Sequence, residues 1–187
     1  MTLTPWKKLS EKVLASGWGR EFREAQFTTH DGKDTSYFYV HAPDAVMIVA
    51  VADDGTIPLV KQWRPILGKV MTEFPAGTRD GDDATEDAKR ELAEEVKVQA
   101  AHMEWVGRQE SSAGLTTVAM DVYVAWGLTP IEAEQDDTEE FEHLSMTSSE
   151  IDAAIANHEI TAGMVISAWH QARPRVLEVI DQLGAKR

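Results

Sequence analysis

The stretch Ala84 to Val96 constrains the chain most tightly, because its apolar and acidic residues follow the period of a helix. Ala84, Ala88, Leu92 and Val96 recur every four residues and make one apolar stripe, which has to dock on a core. Asp83, followed three residues later by Glu86, has the form of a capping box with Asp in place of Ser or Thr. The helix is therefore predicted to start at Ala84. Glu91 and Glu95 then project from one face, with Glu94 beside them.

Like charges at this spacing repel by roughly a few tenths of a kcal/mol in an isolated helix, so something must compensate. A run of acids is ordinarily a solvated face. The sharper reading is a hard divalent cation such as Mg²⁺, which takes carboxylate and carbonyl oxygens and keeps waters and phosphates in its other positions. Arg90 can hold one carboxylate by charge-assisted hydrogen bonds. An EF-hand calcium loop is excluded: counting from Asp80, Ala84 and Thr85 stand where an oxygen ligand and Gly are required.

Read with the preceding loop Glu73-Phe74-Pro75-Ala76-Gly77, the stretch resembles the Nudix box. The core Arg90-Glu91-Leu92-Ala93-Glu94-Glu95 is intact. Three positions depart from the pattern: the loop after Gly77 is one residue short, Asp82 replaces the first Glu, and Lys97 replaces the closing Gly. Lys97 thus stands where a helix commonly exits through the left-handed region, at about 1 kcal/mol for a residue with a Cβ.

Other segments are similar to the ADP-ribose pyrophosphatase and nucleoside-diphosphate-sugar branch of that family: Val60 to Pro65, Glu73 to Gly77, Ser112-Ala113-Gly114, and Glu159 to Ala162. That branch usually has a Ser-Pro-Gly loop with a Glu downstream, where this chain has Ala113 and Val118. The resemblance implies an α+β fold, an α/β/α sandwich, and Mg²⁺-dependent hydrolysis of a nucleoside-diphosphate small molecule such as ADP-ribose, with Mn²⁺ as the substitute ion. Metal ligands would be the Ala76 carbonyl, Glu91 and Glu95, with Glu94 assisting through water and Arg90 orienting the carboxylates. Glu139, then Glu140, then Asp137 are the candidates for a metal or general-base role. Arg64, Glu73 and Gly114 are expected to meet substrate. The alternatives are hydrolysis of GDP-mannose or another nucleotide sugar, and a non-catalytic nucleotide-binding module.

A chain of 187 residues with 43% hydrophobic and 27% charged content suits one medium domain with a small appendage. The appendage is residues 1–40, an N-terminal antiparallel sheet that the branch commonly exchanges across a two-fold homodimer. Residues 41–187 then form the main domain. Cys is absent, so any metal is left to oxygen or imidazole ligands, and the six His residues show no ligand spacing. A net charge of −14 opposes binding to nucleic acid. No apolar run is long enough for a membrane span and no leader is evident, so the expectation is a cytoplasmic protein with no membrane partner. A diphosphate still needs local cations, and Lys61, Arg64, Arg79 and Arg108 are the candidates.

Ala45 to Ala52, a continuous apolar run, is expected to pair with Ile57 to Trp63 as a hairpin around Asp53-Asp54-Gly55-Thr56. Thr147 with Glu150 predicts a second capped helix. Thr161 is expected to cap a last helical region that Pro174 interrupts and Gly184 closes. Ile131 to Glu142 holds seven acids without periodicity and reads as a loop.

Overall fold

The computed structural model describes residues 3–134 and 140–185, in two compact units. One unit is Met1–Asp44 with Glu110–Ala119; the other is Ala45–Gln109 with Met120–Arg187.

In the first unit, β1 (Lys7–Gly17), β2 (Arg20–Thr28) and β3 (Asp34–His41) form an antiparallel meander. Trp18 and Gly19 turn β1 into β2, both with positive φ, 55° and 68°, the handedness that a two-residue hairpin loop needs. Aromatic pairs knit the sheet, Trp6 with Phe27 and Phe22 with Phe38. The later segment fastens to β3, where the Val40 N–H donates to the Leu115 carbonyl at 2.8 Å. β1 is exposed along its whole length, and Ala25 alone among the described residues of the three strands is fully buried. A sheet this thin has little core of its own.

The second unit carries ten elements. In chain order they are β4 (Ala45–Val51), β5 (Ile57–Arg64), β6 (Lys69–Glu73), β7 (Ala76–Thr78), α1 (Ala84–Val96), β8 (Val98–Glu110), β9 (Ala119–Pro130), β10 (Phe141–Met146), α2 (Ser148–Ala156) and α3 (Gly163–Gly184). One sheet runs β7-β4-β9-β8 and a second runs β10-β5-β6. β4 lies parallel to β9 and antiparallel to β7, so the larger sheet is mixed.

Successive β4 residues point to opposite faces, and each face meets helices. Val46, Ile48 and Ala50 pack with Ala88 and Leu92 of α1, while Met47, Val49 and Val51 pack with Val165, Ala168 and Trp169 of α3. Burial on both faces explains the unbroken apolar run. It also corrects the expected hairpin: both edges of β4 are taken by β7 and β9, so β5 crosses into the other sheet. The turn between them survives, closed by the Ala52 N–H to the Thr56 carbonyl at 2.8 Å.

The α2 capping box forms with both arms. At α3 the expectation fails twice. Ala162, not Thr161, is the N-cap, and the helix runs through Pro174. Proline in a helix interior costs about 3 kcal/mol. The buried stripe Val165, Ala168, Trp169 and Ala172 before it continues as Val176 and Val179 after it. Burying two such Val side chains returns about 1.5–3 kcal/mol each, so packing overrides the breaker.

Candidate active site

The α1 helix starts at Ala84, with the Asp83 carboxylate accepting the Thr85 N–H at 2.8 Å. That bond holds the Asp83 carboxyl below its ordinary value. Glu86 pairs with Lys89 at 2.6 Å rather than reaching back, so Asp83 caps the helix alone and the expected reciprocal box does not form. The apolar stripe docks as expected, and docking carries two carboxylates inward with it. Glu91 is 7% exposed and Glu95 5%.

Burying carboxylates is costly unless each has partners. The Ala76 N–H donates to Glu95 Oε2 at 3.3 Å. Glu91 lies against Gly77, where any Cβ would coincide with its carboxyl group. Arg90 supplies the countercharge: Nη2 lies 2.9 Å from Glu91 and 3.2 Å from Asp80, and Nη1 3.1 Å from Glu94. Burial disfavours its charge, but Glu91, Glu94, Asp80 and Asp87 outweigh that and raise its pKa. Arg90 thus lies against four carboxylates, those of Glu91, Glu94, Asp80 and Asp87.

Two further buried acids escaped the sequence reading. Asp87, inside the helix, accepts the Asp80 and Gly81 N–H groups at 3.3 and 3.4 Å and so shapes the shortened loop. Asp121 on β9 accepts Trp105 Nε1 and Arg108 Nη1, each at 3.0 Å. Arg79 reaches between them, 3.9 Å from Asp87 and 3.5 Å from Asp121. An acid every few residues looks alike in a linear chain. The one available signal was that Asp121 is the only charged residue in the otherwise uncharged stretch of β9 from Ala119 to Trp126.

The remaining candidates sit elsewhere in the unit or outside it. Arg64 and Glu73, on paired strands β5 and β6, bind each other through a fork of two hydrogen bonds. Glu140 precedes β10 and lines a cavity of about 270 Å³ with Lys61, Trp63, Val70, Phe141 and Glu142. Gly114 belongs to the other unit, where its carbonyl accepts Tyr37 Oη at 3.1 Å. Glu139 and Asp137 lie outside the described residues.

Among the described residues, no three His, Asp or Glu side chains converge to hold an ion on their own. The donor set nonetheless suits a hard divalent cation that keeps waters and substrate oxygens: two buried carboxylates, Glu91 and Glu95, stand beside the main chain of Ala76 and Gly77. Arg90 compensates the same charge that an ion would.

A mixed sheet between helices, with a short glycine loop feeding an acidic helix, defines a sandwich fold whose loop and helix build one anionic site. The NUDIX domain model matches residues 41–165, and the chain belongs to the Nudix family. It is 34% identical over 100 residues to the methanol dehydrogenase activator of Bacillus methanolicus, covering 53% of this chain and 54% of that protein. Over 128 residues it is 32% identical to the ADP-ribose pyrophosphatase of Mycobacterium tuberculosis, covering 67% and 62%. Against the Bacillus subtilis ADP-ribose pyrophosphatase it is 31% identical over 142 residues, covering 72% and 77%. The chain thus spans little more than half the length of the first of these relatives. A crystal structure of an ADP compounds hydrolase shares the fold, with a TM-score of 0.85 and 21% identity over 95% of this chain and 97% of that one.

Proposed function

We propose that the chain hydrolyses the pyrophosphate bond of ADP-ribose to AMP and ribose 5-phosphate, using Mg²⁺, with Mn²⁺ as the substitute. The single observation behind this is the pair Glu91 and Glu95, buried on a helix that the family's domain covers. Two relatives that carry the name ADP-ribose pyrophosphatase support the choice of substrate.

A divalent cation, when bound, neutralises the diphosphate and acidifies a coordinated water. Glu91 and Glu95 would hold it, with the main chain of Ala76, and Glu94 would act through water. Arg90 pairs with both Glu91 and Glu94 and fixes them in place. Gly77 leaves the room that Glu91 fills. Glu139, or else Glu140 or Asp137, would take the proton from the attacking water. Arg64 and Glu73 would meet the nucleotide. Two copies of the chain would associate through residues 1–40.

A second reading, another nucleotide sugar such as GDP-mannose, is favoured by Ala113 and Val118, which depart from the branch pattern. Nucleoside-diphosphate compounds assayed for released monophosphate, with and without Mg²⁺, separate the two. Preferred turnover of ADP-ribose supports the proposal, and preferred turnover of GDP-mannose supports the second reading. No Mg²⁺-dependent turnover of any compound rejects both and leaves a binding module. Light scattering tests the assembly, where the mass of a single chain rejects the dimer.

A further inference from the structure

The α1 helix ends against two polar side chains that the reaction above does not use. Lys97 follows its last turn at φ 61° and ψ 39°, a left-handed conformation that is strained for a residue with a Cβ. Its backbone N–H donates to the Ala93 carbonyl at 3.1 Å, and its carbonyl accepts the Ile131 N–H at 3.0 Å. Its Nζ donates to the carbonyls of Glu94 at 2.8 Å and Ala133 at 3.0 Å. From β10, His143 brings Nε2 to 2.5 Å from the Glu95 carbonyl oxygen. A carbonyl only accepts, so Nε2 carries the proton.

The last carbonyls of a helix have no partner within it. Here Ala93, Glu94 and Glu95 each receive a donor, two of them from side chains. A cation at this end also complements the helix dipole. The α1 helix has no basic residue in its own last turn, so Lys97, just beyond it, supplies that charge.

We propose that Lys97 and His143 are positioning residues that clamp the final turn of α1, so that Glu94 and Glu95 stay where a divalent cation needs them. The proposal rests on α1 being the cation-binding helix. Gly77 and Arg90 already set Glu91. Glu95 lies one residue from the helix end, where unsatisfied turns fray, and its carboxylate moves with its own backbone. His143 bonds that backbone directly. Groups that orient ligands without touching the ion typically change affinity or activity by about 10–100-fold when lost.

The test uses the full chain and two readouts besides turnover. Mn²⁺ binding without nucleotide is followed by electron paramagnetic resonance, and hydrogen exchange is followed at the amides of residues 93–98 without metal. His143→Leu is expected to weaken Mn²⁺ binding about tenfold, speed exchange, and lower kcat more than it changes KM. His143→Gln, which keeps an N–H donor, is expected to restore most of each. Lys97→Gly separates clamping from stability, because it relieves the left-handed strain while deleting the ammonium. It is expected to bind Mn²⁺ more weakly even where its melting temperature rises. Wild-type Mn²⁺ affinity in both His143→Leu and Lys97→Gly, or unaltered exchange, overturns the clamp. A wild-type chain that neither binds Mn²⁺ nor turns over substrate instead rejects the proposed function, and the exchange data then decide the clamp alone.

Discussion

Gly77 and Glu91 occupy complementary volumes: the carboxyl of Glu91 fills the space that a Cβ on Gly77 would take. The glycine is needed for its missing side chain rather than for an unusual backbone, since it is paired in β7 with Val46. The fit joins the loop to the helix at the point where charge is buried.

Gly77→Ala is therefore expected to expel Glu91 from its seat. Turnover should fall about 100-fold or more, as for loss of an orienting contact, while circular dichroism stays native. Wild-type kcat in a folded Gly77→Ala chain counts against Glu91 as a ligand in that position.

Glu95→Gln is expected to lower kcat by at least ~10²-fold. Removing one of two neighbouring buried carboxylates also relieves repulsion in the metal-free chain. The variant should melt no lower than wild type in EDTA, and should lose the upward shift in melting temperature that Mg²⁺ gives to wild type. A retained Mg²⁺ shift would show that Glu95 is not a ligand.

Stability on the α2–α3 side should depend on acid. Asp152 takes Arg173 through a forked pair and Trp169 Nε1 at 2.8 Å, and the Arg173 hydrogen bond holds its carboxyl below the ordinary value of 3.8. A depressed carboxylate pKa stabilises the fold above the unfolded value, and that stability is lost as pH falls through the folded value. Urea melts of wild type and Asp152→Asn should therefore converge as pH drops below about 4 and differ by a constant amount above it. A difference independent of pH throughout would reject the ionic role.

Pro174→Ala should stabilise the chain. Restoring the N–H inside α3 recovers up to about 3 kcal/mol, less about 0.4–1 kcal/mol from the freer unfolded chain. Thermal melts would register the gain, and a lower melting temperature would mean that the proline ring itself packs productively.

Local chemistry made much of this fold readable. The α1 start at Ala84, the left-handed exit at position 97 and both arms of the Thr147–Glu150 box depend on residues within a few positions of one another. What escaped depends on distant partners. β4 and β5 read as a hairpin because their turn is sound, yet β4 was already flanked by β7 and β9, which no local window reveals. Pro174 read as a break because its propensity is local and the stripe that overrides it is packed by other strands. His143 read only as one of six histidines without metal-ligand spacing, and the carbonyl it meets, 48 positions away, lies beyond any local window.

The four cations that the sequence offered to a diphosphate already have acidic partners: Lys61 with Glu142, Arg64 with Glu73, Arg79 between Asp87 and Asp121, and Arg108 with Asp121. Any phosphate that recruits one of them dislodges a resident carboxylate. Recognition on this surface is then a swap of one anion for another with little change in net charge, and its dependence on ionic strength should be shallow.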